Sequence, residues 1–151
     1  MSSIEWKHVE HKLTTTKIEN VEKHFGVRFP VDYIECILEN NGGYPSHRIF
    51  FVNGREEGIN NFICVVDDEH GIIKTAQDIS DRLESGLVPF ARDAGGNYVC
   101  FDYRNNALSP SVVFWEHEKA FLGADDSIVK VADSFTQFMN SLQIFEDDDD
   151  N

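Results

Sequence analysis

No stretch of this sequence runs through ~18 consecutive apolar residues, the length a membrane-spanning helix needs. The opening residues, with Glu5, Lys7 and His8, lack the apolar core of a signal peptide, so a cytoplasmic protein is expected. Cysteine is scarce. Cys36, Cys64 and Cys100 are odd in number, far apart, and form no Cys-x-x-Cys pair. That excludes a disulfide framework and a thiolate zinc site, and each reads as a small buried hydrophobe. Bases are few as well: 13 Lys and Arg against 27 Asp and Glu, a net charge of −14. The run Glu146–Asp150 supplies five of the acids; without it 22 acids face 13 bases, a balance of −9. Such a surface repels phosphate backbones and anionic lipid, so neither nucleic acid nor membrane is an expected partner. Basic proteins are attracted instead. No phosphate-binding loop is present either, since Gly54-x-x-x-Gly58 lacks the lysine and is flanked by acids.

What the sequence does contain is organised around Val88–Asp102. Val88, Pro89 and Phe90 read as the start of a strand, where proline is best tolerated. Gly95-Gly96-Asn97 supplies residues that accept positive φ in a hairpin turn. Tyr98–Tyr103 returns as a second strand, with Val99, Phe101 and Tyr103 on one face and Tyr98, Cys100 and Asp102 on the other. Both faces are mostly apolar, which predicts a strand inside a sheet and covered on both sides.

Upstream, residues 1–15 form a polar lead-in, and a domain over 16–145 follows. Thr16-x-x-Glu19 predicts a capping box, Ile18, Val21 and Phe25 a helical stripe, and Gly26 its left-handed close. Pro30 suits the first turn of a second helix, which carries Val31, Ile34, Ile37 and Leu38 inward and ends at Asn41-Gly42-Gly43. Arg48–Asn53 and Asn61–Val66 read as strands around a polar loop. Thr75–Glu84 reads as a helix capped by Thr75 and stopped near Gly86. Ser111–His117 is a further strand, Val113, Trp115 and His117 on one face, Val112 and Phe114 on the other. Asp125-Asp126 falls in a loop before the apolar run Ile128–Val131. Asp133 is the expected cap of the last helix, with Phe135, Phe138, Met139, Leu142 and Phe145 as its stripe. Residues 146–151 are expected to be a disordered acidic tail. The order predicts a single α+β domain, helices packed on a mostly antiparallel or mixed sheet.

Candidate chemistry is thin. His8 and His11, Asp67-Asp68-Glu69-His70 and Glu116-His117-Glu118 mix metal-ligating types, but neighbouring strand residues point to opposite faces and would not converge, so no metal is expected. Cys100, His117 and Asp102 or Glu116 lack a nucleophile elbow and an oxyanion loop. Asp93 and Asp102, a conceivable carboxylate pair, are separated only by a hairpin. No catalytic centre and no cofactor are expected, which favours a binding role.

Several elements in order resemble the SUKH superfamily, the group of yeast cell-wall-synthesis regulators and bacterial toxin-immunity proteins. They are Ile18-Glu19-x-Val21-Glu22 leading to Gly26-Val27-x-Phe29-Pro30; Pro30-x-Asp32-Tyr33 and Asn40-Asn41-Gly42-Gly43; Val88-Pro89-Phe90-Ala91-x-Asp93-x-Gly95-Gly96-Asn97 with Cys100-x-Asp102; Val113-x-Trp115-x-His117-Glu118; and Val131-Ala132-x-Ser134-Phe135-x-x-Phe138. The resemblance covers about residues 15–145. It implies an α+β fold and a non-catalytic protein-binding role. In bacteria that role is immunity: binding and neutralising a cognate polymorphic toxin, often a nuclease and therefore basic. The alternative it implies is a regulatory interaction module with no toxin partner. Its glycines and Pro30 would set backbone geometry, Tyr33, Phe90 and Trp115 would fill the core, and Asp93 and Asn97 would hold the turn. The expected partner-binding residues are loop acids: Glu56, Glu57, Asp67, Asp68, Glu69, Asp93, Glu116, Glu118, Asp125 and Asp126.

Overall fold

Aromatic rings set the centre of the molecule. In a computed structural model describing residues 3–66 and 69–144, Phe90 and Phe101 stack with centroids 4.3 Å apart. Tyr33, Phe62, Phe135 and Phe138 turn edges toward this pair. The two stacked rings sit on strands β6 (Leu87–Arg92) and β7 (Tyr98–Asp102), the predicted central hairpin. With β5 (Asn61–Phe62), β8 (Ser111–Trp115) and β9 (Ile128–Ala132) they make a five-stranded antiparallel sheet in the order β5-β6-β7-β8-β9.

The central strand is covered on both sides, as its composition predicts. Val99 and Phe101, with Val112 and Phe114 of β8, face the main core. Cys100, Val113 and Trp115 face a smaller cluster with Ile79 and Leu87, closed over by Leu83, Ala120 and Ile128. Pro89 departs from expectation. It lies inside β6, opposite Cys100, and is accommodated because the register shifts between Pro89 and Ala91.

Helices α1 (Thr15–Phe25), α2 (Val31–Asn40) and α5 (Phe135–Ser141) contribute Ile18, Val21, Tyr33, Ile37, Phe135 and Phe138 to the main core. The cap of α1 is Thr14, whose hydroxyl accepts from the Lys17 amide at 3.2 Å, and not the Thr16–Glu19 box. Pro30 is the residue before α2 and not its first turn, and Val31, expected inward, is exposed there while Tyr33 takes the buried place. Gly42 has φ +69°, and a Cβ there would meet the Cys64 sulfur at 2.5 Å, so a side chain is excluded. Ser134, one residue after the expected Asp133, caps α5 by accepting from the Gln137 amide at 3.1 Å.

Other boundaries move. The polar loop contains a strand: β3 (His47–Val52) and β4 (Arg55–Gly58) form a hairpin through Asn53 and Gly54, with φ +52° and +80°, and β10 (Gln143–Ile144) completes that three-stranded sheet. Asn-Gly at two left-handed positions is the preferred two-residue hairpin turn. The strand expected over 61–66 keeps only its first two residues. Helix α3 is Ile72–Asp78, with Thr75 buried inside it because Ile72 and Thr75 share the inner face. The run from Ile128 is a strand, β9, since its residues pair with β8. The lead-in is tied to the body: β1 (Trp6–Lys7) pairs with β2 (Tyr44–Pro45), and Trp6 meets Phe62 edge-on at 5.0 Å. Phe145 and the acidic tail lie outside the described residues.

Candidate functional site

The β3–β4 turn delivers Arg55 toward the end of β8, and an ion network forms there. Arg55 Nε donates to Glu57 Oε2 at 2.6 Å, and Arg55 Nη2 lies 3.3 Å from Glu116 Oε1. Lys119 Nζ, on the short helix α4 (His117–Phe121), lies 3.1 Å from Glu116 Oε2 and 2.8 Å from Asp126 Oδ2. The hydrogen bond from Lys119 holds the Asp126 carboxyl below its ordinary value, and the same bond raises the pKa of the Lys119 ammonium. The Glu57 bond similarly raises that of Arg55. Three of the expected residues, Glu57, Glu116 and Asp126, thus come together from three separate segments; Glu118 follows Glu116 on α4, and Asp125 precedes Asp126 on the turn at Asp125–Ser127. Three of these carboxylates share two cations. Glu118 and Asp125 are exposed and have no ion-pair partner among the described residues, so the face keeps a negative surplus.

Asp93 is used by its own turn. Its Oδ1 accepts from the amides of Gly95 and Asn97, each at 2.8 Å, and its Oδ2 from the Asn97 side chain at 2.9 Å. Asn97 Oδ1 in turn accepts from the His117 amide at 3.0 Å, which locks the hairpin to the start of α4. His117 therefore opens a helix and does not continue the strand face of Val113 and Trp115. Glu56 and Glu57 line a hollow of about 280 Å³ with Arg48, Asn60 and Ala94 of that turn. Glu69 sits apart from the network, 3.8 Å from His70 Nε2. Asp67 and Asp68 lie outside the described residues.

Two uncharged residues of α4's end, which no pattern of acids reveals, also stand at the surface. Phe121 and Leu122, at the end of α4, are 77% and 78% exposed. They line a hollow of about 550 Å³ together with Arg82, His117 and Glu118. The segment Lys119-Ala120-Phe121-Leu122-Gly123 does hold a signal: apolar residues closed by a glycine, which sits at φ +70° as a helix stop.

The residues weighed for catalysis are committed elsewhere. Cys100 is fully buried, and burial pushes its thiol well above the ordinary range. Cys36 is half-buried, its thiol pushed up to about 11 by the same cause; Cys64 is half-buried too, so only Cys100 meets the expectation of a buried cysteine. Asp102 is bonded to Arg104 through both oxygens, each at 2.9 Å. Among the described residues no three metal-ligating side chains converge, and no helix is long and apolar enough to cross a membrane.

A family model described as SMI1-KNR4 cell-wall (SUKH_6) matches residues 15–139. The chain is also similar to the SPbeta prophage-derived uncharacterized protein YokK of Bacillus subtilis (strain 168). The two are 24% identical over 148 residues, covering 85% of this chain and 74% of that protein.

Proposed function

This chain belongs to the SMI1-KNR4 cell-wall family of the SUKH superfamily, and from that membership we propose that it is an immunity protein that binds and neutralises a cognate toxin. Proteins of this superfamily are often immunity proteins and are generally non-catalytic, and the relative from a prophage suits a gene carried in conflict systems. The observation that carries the reading is the face built by β4, α4 and the Asp125–Ser127 turn. Its carboxylates outnumber its cations; Glu57, Glu116 and Asp126 are held by ion pairs, and the Asp93–Asn97–His117 chain fixes the start of α4, which carries Glu118. A nuclease toxin must hold phosphates with Lys and Arg, so its working surface is cationic. An anionic, preorganised inhibitor is steered to that surface and covers it. The protein acts by occupancy, in the cytoplasm of the cell it protects, and transforms nothing.

Co-expression with the toxin domain encoded beside its gene is the test. Rescue of growth and a stable complex on gel filtration are expected. Growth arrest with no complex overturns immunity and leaves the regulatory interaction module.

A further inference from the structure

The geometry points to Phe121 and Leu122 as the apolar anchors of a docking surface for a basic protein segment. The surface deepens the binding role proposed above and rests on it for the partner's identity. Single exposed hydrophobes are ordinary, as at Val31 and Leu108. Two adjacent large ones on the rim of a hollow of about 550 Å³ form a patch, and a patch of that kind marks an interaction site.

The anchors stand on a fixed support. The first amide of α4 is bound to Asn97, Lys119 ties the helix to Glu116 and Asp126, and Ala120 packs on the second core cluster beneath. A partner meeting these side chains orders little that is not already ordered. Charge selects the occupant. Glu118 lines the hollow without an ion-pair partner among the described residues. The one guanidinium in the hollow, Arg82, is bound to Asp81 at 2.9 and 3.1 Å. A second copy of this chain would bring a net charge of −14 against the same surplus. A segment presenting an apolar side chain flanked by Lys or Arg fills the hollow and meets Glu118.

The test replaces Phe121, and in separate chains Val31 and Leu108, with the photo-crosslinking residue p-benzoylphenylalanine. Each full-length chain is co-expressed with the adjacent toxin domain. A crosslink from position 121 and none from 31 or 108 is expected. Leu122→Ser and Glu118→Lys should each weaken the complex at least about tenfold with the melting temperature unchanged. Crosslinks only from 31 or 108, affinity undiminished in both variants, or a crosslink to a second copy would overturn the docking surface while leaving immunity standing. If the toxin domain is neither bound nor neutralised, immunity fails, and the same crosslinking in the native host decides the surface separately. A captured protein of net positive charge whose purified form loses affinity for Leu122→Ser sustains it; no adduct at 121 ends it.

Discussion

Tyr33 is fully buried among Phe29, Phe90, Phe101 and Phe135, and its hydroxyl has no hydrogen-bond partner among the described residues. Burial accordingly drives its pKa well above the ordinary value. No protein group among the described residues replaces the hydrogen bonds this hydroxyl makes to water in the unfolded chain. Tyr33→Phe is therefore expected to leave stability unchanged or to raise it by about 1 kcal/mol in urea unfolding; a loss of that size would mean the hydroxyl has a partner. Asp102 is the opposite case. Its hydrogen bonds from Arg104 hold the carboxyl below its ordinary range, outweighing the effect of burial. A depressed folded pKa contributes stability that is complete above the unfolded value, about 3.9, and is lost as pH falls through the folded one. Asp102→Asn should cost about 1–3 kcal/mol at pH 7. Between about pH 5 and pH 2 the wild type should then lose more stability than the variant. Parallel acid limbs in the two unfolding curves would exclude the linkage.

Two helices distant in sequence are joined by one carboxylate. Asp32 Oδ1 accepts from the Tyr33 amide of α2 at 2.9 Å, while Oδ2 accepts from the Thr136 amide at 3.0 Å and the Thr136 hydroxyl at 2.5 Å in the first turn of α5. Asp32→Ala leaves two amides at helix starts without this partner and should cost roughly 1–2 kcal/mol. Amide exchange should accelerate first in α5, and uniform acceleration over the whole chain would contradict a local tie. The sequence pattern could not reveal that tie, because the two residues are 104 positions apart. What it did reveal follows from local chemistry: the β6–β7 hairpin from its turn residues, the two-sided burial of β7 from its alternation, and the inner residues Ile18 and Val21 of α1, Ile37 of α2 and Phe135 and Phe138 of α5, whereas Val31, expected inward on α2, is exposed. Strands β4 and β9 escaped because Arg55-Glu56-Glu57 is charged throughout and Lys130 interrupts the apolar run from Ile128; pairing with β3 and β8 makes them strands. The ion network was half legible. Its acids are conspicuous in sequence, but their pairing with Arg55 and Lys119 depends on where the hairpin and α4 meet. Phe121 and Leu122 look like core residues until the fold leaves them outside.

A molecule with a net charge of −14 approaches a basic partner faster than a neutral one, because its field acts before contact. Yet Arg55 and Lys119 already occupy part of the carboxylate on the α4 face. Long-range attraction therefore comes from the surplus of the whole surface, and holding comes from the contact itself. These two sources separate kinetically. Raising salt from about 20 to about 500 mM shortens the Debye length from roughly 20 to 4 Å. The association rate constant should fall at least about tenfold over that range while dissociation changes little. Neutralising Glu118 and Asp125 together should lower association and flatten its salt dependence. Leu122→Ala should instead speed dissociation and leave the salt slope alone, since it removes contact area and no charge. Stopped-flow or surface-binding kinetics on the complex proposed above read both constants. If salt moved dissociation and spared association, the overall charge of the chain would have no part in finding its partner.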